Sequence, residues 1–170
     1  FAGNGIDSVV NTNFNPTTAP TPNFVQNSAS MGVWVLTSRA GAGKSVMGNG
    51  SAASGCNIYP RFDDGNAYLR LNDNSEAEGF AVADSTGLLV ANRSSSTARQ
   101  GYRNGVSVGV YASNTSAAHD NVSIVVGRGG NAFSDDQCAL ALVGASLSAP
   151  HQAALYSAAL VYMQAVGAVP

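Results

Sequence analysis

The sequence predicts an all-β sandwich closed by one C-terminal α-helix. Short runs rich in β-branched and aromatic residues recur at spacings of roughly 8–12 residues, and turn-forming residues separate them. No helical period lies between these runs, which indicates antiparallel strands in a sandwich or barrel rather than a parallel sheet. A helical period appears only near the C-terminus. The chain has 170 residues, enough for one continuous core, so we expect a single domain over residues 1–170.

The composition indicates a polar surface that carries few charges. Charged residues make up 11% of the chain, well below the share usual in soluble domains. The formal net charge is -2 and the basic residues form no run, so we expect no nucleic-acid partner. No apolar run approaches the ~18 residues of a membrane-spanning helix, so we expect no membrane insertion. Because the chain begins at Phe1 rather than Met, we expect a processed product or a piece of a longer protein.

The N-terminal region predicts a strand, a loop and a second, central strand. Residues 1–12 have strand-like sequence that ends at the turn-rich residues 13–16, and nearby prolines mark a loop over 17–23. Residues 30–37 form an apolar run with β-branched and aromatic side chains, as in a strand with neighbours on both sides. We expect Trp34, within this run, to lie in the core.

A β-hairpin is predicted around Asp64 and Gly65, which lie between two alternating runs. This dipeptide favours a two-residue type I′ turn, and pairing outward from Asp63 and Asn66 sets the register. Successive side chains then alternate between two faces. The face expected to enter the core carries Ile58, Pro60, Phe62, Ala67, Leu69 and Leu71.

The opposite face of this hairpin is the candidate ligand-binding site. Its members are Tyr59, Arg61, Tyr68, Arg70 and Asn72. In the predicted register each tyrosine lies across from an arginine, close enough for cation–π or hydrogen-bond contact. Tyrosine rings stack on sugar faces, while arginine and asparagine donate to hydroxyls. The same face could instead be solvated or pack against a neighbouring subunit.

Residues 98–111 predict a second hairpin, bent at Asn104-Gly105. A two-residue turn would pair Arg103 with Val106, whereas a three-residue loop would pair Tyr102 with Val106. We favour the three-residue loop. Its faces are Ala98, Tyr102, Val106, Val108 and Val110 on one side and Arg99 on the other.

The remaining apolar runs predict three strands and the helix. Strands are expected over residues 86–93, 121–127 and 137–143, with a loop over 128–135. The helix is expected over about 149–166, because Ser148 is a good N-cap, Pro150 suits the first turn and Gly167 suits the end. Its apolar stripe is Leu155, Ala159, Met163 and Val166.

Two groups of motifs resemble a known fold. The first comprises residues 1–5 (FAGNG), 13–16 (NFNP), 32–34 (GVW) and 102–105 (YRNG). The second runs from Phe133-Ser134 through residues 139–148 (ALALVGASLS) into a helix with Gln152, Leu155-Tyr156 and Tyr162. Together they resemble the concanavalin A-like (laminin G-like) lectin and glucanase domains, in the version found in bacteriophage tail and other virion proteins. The resemblance covers nearly the whole chain.

This resemblance implies a two-sheet antiparallel jelly roll with a concave face or loop rim available to ligands, and it transfers no site residues. It implies a non-catalytic recognition or adhesion module of a virion tail or fibre, or of a secreted surface protein, exposed on the virion or outside the cell. The expected partner is a glycan or cell-surface receptor. One alternative is a structural decoration or assembly domain that packs against virion proteins or forms a homo-oligomer. A second alternative is a glycoside hydrolase.

Two motifs that suggest catalysis each lack part of the required pattern. Residues 41–45 (GAGKS) end like a phosphate-binding loop, but Ser38 occupies the place of the first glycine and no helix follows. Glu76 and Glu78 would share one face of a strand, yet the acidic strand pattern of the glucanases is absent. We therefore expect no enzyme activity and name no catalytic residue.

No cofactor is predicted, although calcium remains one hypothesis. Cys56 and Cys138 have no zinc-ligand spacing around them; they are free thiols or one disulfide, and the chain length favours free thiols. Calcium would need oxygen ligands from clusters that lack a recognised loop spacing. These clusters are Asp73, Asn74, Glu76 and Glu78, or alternatively Asp135 and Asp136.

Overall fold

The computed structural model describes residues 1–39, 44–49, 55–73, 79–111 and 115–169. Within these ranges the chain forms two large antiparallel sheets, a small hairpin and one helix. The elements are β1 (Val10–Asn11), β2 (Ala29–Val35), β3 (Met47–Gly48), β4 (Asn57–Tyr59), β5 (Asn66–Arg70), β6 (Gly79–Ala81), β7 (Gly87–Arg93), β8 (Arg99–Arg103), β9 (Val106–Tyr111), β10 (Val125–Val126), β11 (Arg128–Gly129), β12 (Ala132–Phe133), β13 (Cys138–Gly144) and α1 (Ala149–Ala165).

The two sheets face each other around the main core. One sheet has the strand order β1-β10-β3-β4-β5-β6 and the other β13-β2-β7-β8-β9, while β11 and β12 pair with each other. Met31 and Val33 from one sheet and Ile58 and Leu69 from the other belong to the same buried cluster. The predicted all-β sandwich with one C-terminal helix is confirmed.

Strand β2 explains why the chain has cores on both faces of one sheet. All seven of its residues are buried, and it pairs with β13 on one side and β7 on the other, as expected for the apolar run at 30–37. Met31, Val33 and Val35 point between the sheets, and Trp34 points to the opposite face. There Trp34 is 3% exposed, so its predicted core position is confirmed.

Helix α1 covers the outer face of the five-stranded sheet. Ala159 and Met163 lie in one cluster with Trp34, and Leu155 packs against its edge. The N–H of Ala168 donates to the carbonyl of Met163 at 2.9 Å, and Gly167 has a φ of 70°. This Schellman ending turns the chain back onto the sheet and confirms the stop at Gly167.

The prediction that Val166 belongs to the buried stripe of the helix is wrong. Val166 is 55% exposed rather than packed on the sheet. The reason is the helix ending itself, because Val166 is the C-cap residue and Ala168, just beyond it, packs against the cluster instead. The helix otherwise matches the predicted span to within one residue.

The predicted strand over residues 1–12 is mostly absent. Only Val10–Asn11 pairs in a sheet, and Ala2 forms an isolated bridge. Between them the side-chain oxygen of Asn4 accepts hydrogen bonds from the backbone N–H groups of Ile6, Asp7 and Ser8. This local capping competes with strand pairing, which the apolar pattern does not reveal.

Two further predictions differ from the structure. They are the loop over residues 128–135 and the full-length strand over 121–127. Arg128 pairs with Phe133 in the two-stranded hairpin of β11 and β12, and Gly130 provides the left-handed turn residue at φ 58°. Strand β10 is only two residues long. The glycines and polar residues of 128–135 give no strand pattern, so the short pairing of β11 with β12 is not predicted.

The β8–β9 hairpin has the two-residue turn, so the three-residue loop we favoured is wrong. Asn104 and Gly105 have φ values of 51° and 76°, and Arg103 pairs with Val106. The backbone can adopt a type I′ turn here because both residue types tolerate positive φ. A bulge then shifts the register between Gly101 and Tyr102.

This bulge rearranges the predicted faces of the hairpin. Tyr102 lies beneath the helix, but Val106 and Val110 are exposed and Val108 packs against the main core. Arg99 lies opposite Tyr111 and is buried between the sheets. The extra residue changes which side chains point inward, and alternation alone could not locate it.

Candidate functional site

The β4–β5 hairpin carries the candidate site in a register that differs from the prediction by two residues. Tyr59 lies opposite Tyr68, not opposite Arg70. The loop has three residues, because the N–H of Gly65 donates to the carbonyl of Phe62 at 3.0 Å and Gly65 takes a φ of 80°. A second irregularity follows at Pro60, which lacks an N–H for the ladder.

The changed register keeps most of the predicted core but moves Phe62. Because the shift is even, Ile58, Ala67, Leu69 and Leu71 still face the main core. Phe62 was predicted there and lies on the outer face instead. Its ring makes edge contacts with Tyr59 at 5.5 Å and with Tyr68 at 5.3 Å between centroids.

Tyr59, Phe62 and Tyr68 therefore form one group, which we call the aromatic patch. All three side chains are partly exposed on the outer face of the six-stranded sheet. A Cβ on Gly79 would lie 2.9 Å from the ring of Tyr68, so this ring rests against the β6 backbone. The absence of a side chain at position 79 lets the ring lie close to the sheet.

A carboxylate fixes the position of Tyr68. Its hydroxyl donates to Asp64 Oδ2 at 2.5 Å, and Asp64 Oδ1 accepts from the N–H of Asn66 at 2.9 Å. The hydrogen bond from Tyr68, followed by those from Asn66, lowers the pKa of Asp64. The turn and the ring are thus held by the same ionised side chain.

The other three predicted site residues differ in accessibility. Arg61 is half-buried, and its Nε has no hydrogen-bond partner within the described ranges. Arg70 is 7% exposed and lies opposite Asn57 in the ladder. Asn72 is fully buried. The structure therefore brings Tyr59, Arg61 and Tyr68 to the surface and places Asn72 inside.

The buried side chain of Asn72 joins three other segments of the chain by hydrogen bonds. Its Nδ2 donates to the carbonyl of Gln26 at 3.0 Å, and its Oδ1 accepts from the thiol of Cys56 at 3.1 Å. The Nδ1 of His119 lies 3.0 Å from the same oxygen, which requires this nitrogen to carry the proton. A φ of 51° explains why asparagine suits this position.

Protonation of His119 makes the folding stability of the chain depend on pH. Burial lowers the pKa of His119, partly opposed by the charge of Asp120. The unfolded chain, with a histidine pKa of about 6.5, then binds the proton more readily than the folded chain. Stability is therefore fully present above this pH and falls as the pH drops towards the lower pKa of the folded state.

We expect His119→Gln to reduce the loss of unfolding free energy between about pH 8 and about pH 5. Urea denaturation of the two proteins at both pH values measures this loss. The exposed His151 supplies the matched control, and His151→Gln should keep the loss seen in the unmodified chain. An equal loss in the His119 variant would contradict this assignment.

Both cysteines are buried free thiols. The preference for free thiols over a disulfide is therefore confirmed. Desolvation raises the pKa of the Cys56 thiol to about 12 and that of Cys138 to about 12. Thiols in this state are poor nucleophiles and poor metal ligands.

The acidic clusters considered for calcium contain carboxylates that already face cations. Asp73 contacts Arg93 and Arg99, while Asp135 contacts Arg39 and Lys44. No group of three or more His, Cys, Asp or Glu side chains that could hold a metal ion occurs among the described residues. Asp136 accepts hydrogen bonds from the hydroxyls of Thr37 and Ser134. The other candidates, Asn74, Glu76 and Glu78, lie outside the described residues, and so does the carboxylate pair considered for glycoside hydrolysis.

The GAGKS segment shows no phosphate-binding geometry where it is described. Residues 41–43 lie outside the described ranges. Lys44 pairs with Asp135 at 2.8 Å, and the buried Ser45 Oγ donates to the carbonyl of Met47 at 3.1 Å. Both side chains have partners within the protein. The only helix in the described parts of the chain begins at residue 149, and it does not have the length and apolar character needed to cross a membrane.

Comparison with known proteins gives a likeness in fold. No family model matches the sequence, and no curated protein matches it. Among solved structures, the chain is similar to domain 4 of AbnA, an extracellular GH43 arabinanase from Geobacillus stearothermophilus, solved in complex with arabinotriose. The TM-score is 0.58 at 15% sequence identity, covering 78% of this chain and 68% of that one. At this identity the likeness shows that the chain shares the fold of that arabinanase domain.

Proposed function

We propose that this chain is a non-catalytic recognition module that binds neutral glycan through the aromatic patch and Arg61. The observation that carries the proposal is the grouping of Tyr59, Phe62 and Tyr68 on one solvent-facing surface, which the two-residue change in register creates. Aromatic faces pack on the C–H faces of sugar rings, and a guanidinium donates to hydroxyls. Arg70 and Asn72 are buried and do not form part of this surface.

Two further points support a glycan over a charged ligand. The chain carries few charges, so its surface does not attract or repel ions over long distances. The arabinanase domain that shares its fold was solved with an oligosaccharide bound. We infer a place outside the cell, on a secreted surface protein or a virion tail or fibre, where a glycan or cell-surface receptor is the partner.

Replacing Tyr68 with alanine should weaken glycan binding by roughly tenfold, because an aromatic contact contributes about 0.5–1.5 kcal/mol beyond area burial. A glycan array identifies the best ligand, and titration calorimetry with that ligand compares the variants. Tyr68→Phe keeps the ring and should bind within a few-fold of the unmodified chain. Tyr162→Ala, an exposed tyrosine on α1, is the surface control. Silence across the array, or equal binding by Tyr68→Ala, would refute the proposal.

A structural or assembly role is the second candidate, and the exposed side of α1 favours it. This helix contains no Asp, Glu, Lys or Arg, and Val161 and Tyr162 are exposed on it, as is Val166 at its C-cap. A group of exposed apolar side chains on a helix surface is typical of a protein contact. Sedimentation velocity of the purified chain distinguishes the candidates, since a defined oligomer without glycan binding supports assembly with copies of itself or with virion proteins.

A further inference from the structure

Helix α1 exposes a run of apolar side chains on the side that faces away from the five-stranded sheet. We call this the outer helix face, and its members are Ala154, Ala158, Val161, Tyr162 and Ala165. Val161 and Tyr162 are 67% and 58% exposed. The aromatic patch lies on the outer face of the other sheet, so the two surfaces are on opposite sides of the sandwich.

The outer helix face carries no charge. Residues 149–165 contain no Asp, Glu, Lys or Arg, although a helix that only contacts water usually carries charged side chains on its outer side. The formal net charge of the whole chain is -2, so two copies repel each other only weakly. A partner recognised by its charge finds no counter-charge on this face, whereas a second copy of the same face meets no like charge.

The order of the residues on this face fits a second copy in particular. Intervals of four, three and four residues separate Ala154, Ala158, Val161 and Ala165, which is the spacing of a seam between two packed helices. These intervals read the same in both directions. In an antiparallel pair related by a twofold axis, Ala158 therefore lies opposite Val161 of the partner subunit. The alanines allow the two helix axes to approach to about 8 Å.

We propose that two copies of this chain form a reversible dimer through antiparallel packing of their outer helix faces. The dimer gives the assembly role considered above a specific partner, and it does not depend on glycan binding. A helix of 17 residues is about 25 Å long and about 10 Å wide, so its outer half offers on the order of 400 Å². Two such surfaces provide about 800 Å², less than the roughly 1,200 Å² of a stable interface. We therefore expect a weak dimer, with a Kd on the order of 100 µM.

Charges placed in the seam test this dimer. Sedimentation equilibrium of the purified chain without glycan, from about 5 µM to about 1 mM, measures the Kd. Val161→Glu brings a charge into the seam and should weaken the dimer by at least about tenfold, and Ala158→Lys should do the same. Because Ala158 faces Val161 of the partner subunit, the double variant Ala158→Lys/Val161→Glu should dimerise at least about threefold more tightly than either single variant. Urea denaturation shows that each variant is folded.

Val110→Glu is the matched control, because Val110 is 65% exposed on the edge strand β9 and lies outside the outer helix face. It should leave the Kd unchanged. A chain that stays monomeric throughout this range, a dimer that survives Val161→Glu, or a dimer that Val110→Glu disrupts equally would overturn the proposal. A double variant no tighter than its single variants would overturn it as well, since that result contradicts antiparallel pairing. The dimer is measured without glycan, so its failure is distinct from a failure of the glycan proposal.

Discussion

Replacing Asp73 with asparagine is expected to lower the free energy of unfolding by about 3–5 kcal/mol, the usual cost of removing one partner of a buried ion pair. Asp73 Oδ2 lies 3.2 Å from Arg93 and 2.9 Å from Arg99, and all three side chains are almost completely excluded from solvent. Asparagine preserves the shape of this side chain and removes its charge. Two buried guanidinium groups would then each lose an ion pair with this residue.

The hydrogen bond and the ion pair of Arg93 explain why the loss of Asp73 should destabilise the contact between the two sheets. Its Nε donates to the carbonyl of Leu71 at 2.8 Å, so β7 is tied to the residue that follows β5. Burial lowers the pKa of Arg93, and the charge of Asp73 opposes that shift. Arg99 also lies over the ring of Tyr111, with 4.7 Å between its guanidinium carbon and the ring centroid. Asp73 therefore stabilises the contact between the two sheets.

Equilibrium urea denaturation measures this effect, with Asp135→Asn as the matched control. Asp135 also contacts two cations, but these pairs are partly exposed, and exposed pairs contribute about 0–1 kcal/mol. A loss for Asp73→Asn as small as that of the control would show that the buried pairs contribute little. The proposed glycan surface does not include Asp73, so stability can be tested apart from binding.

The sequence predicts the parts of this fold that depend on local periodicity. The apolar run around Trp34 predicts β2, and the cap and glycine signals predict the limits of α1. Both signals arise from side chains close in sequence, where burial and backbone conformation repeat with a fixed period. The assignment to a sandwich follows from these repeated elements.

The sequence does not predict register where a bulge intervenes. Pro60 offers no N–H to the ladder, and the type I′ turn expected at Asp64-Gly65 gives way to a three-residue loop. That change moves Phe62 from the core to the aromatic patch, so three of the five predicted site residues reach the surface and a sixth residue joins them. Both turn types place Gly65 at a positive φ, so the glycine does not distinguish between them. The choice depends on packing across the whole sheet.

Buried charge is the other feature hidden in the sequence. Arg93 and Arg99 lie in strands whose alternation points them inward, but arginine is usually a surface residue. Both pair with Asp73, which is distant in sequence and lies on the segment after β5. The sequence does contain one signal, since a charged residue at an inward position of a central strand needs a buried partner.

Trp34→Ala is expected to lower the free energy of unfolding by about 3–5 kcal/mol and to loosen helix α1 more than the sheets. Trp34 is the largest side chain in the cluster beneath the helix, where it stacks on Tyr156. Helix α1 has little local support: the Ser148 side chain caps no backbone N–H of the first turn, and neither end carries an Asp, Glu, Lys or Arg that complements the helix dipole. Its stability must come from packing on the sheet.

Hydrogen exchange separates the local effect from the global one. In the Trp34→Ala variant, amides of α1 should lose protection before those of β4 and β5, which contact the main core on the other side of the sandwich. Tyr162→Ala removes an aromatic ring from the exposed side of the same helix and should cost less than about 0.5 kcal/mol. Uniform loss of protection in the Trp34 variant would mean that the helix and the two sheets unfold as one unit, and that the second core contributes to the sandwich as a whole.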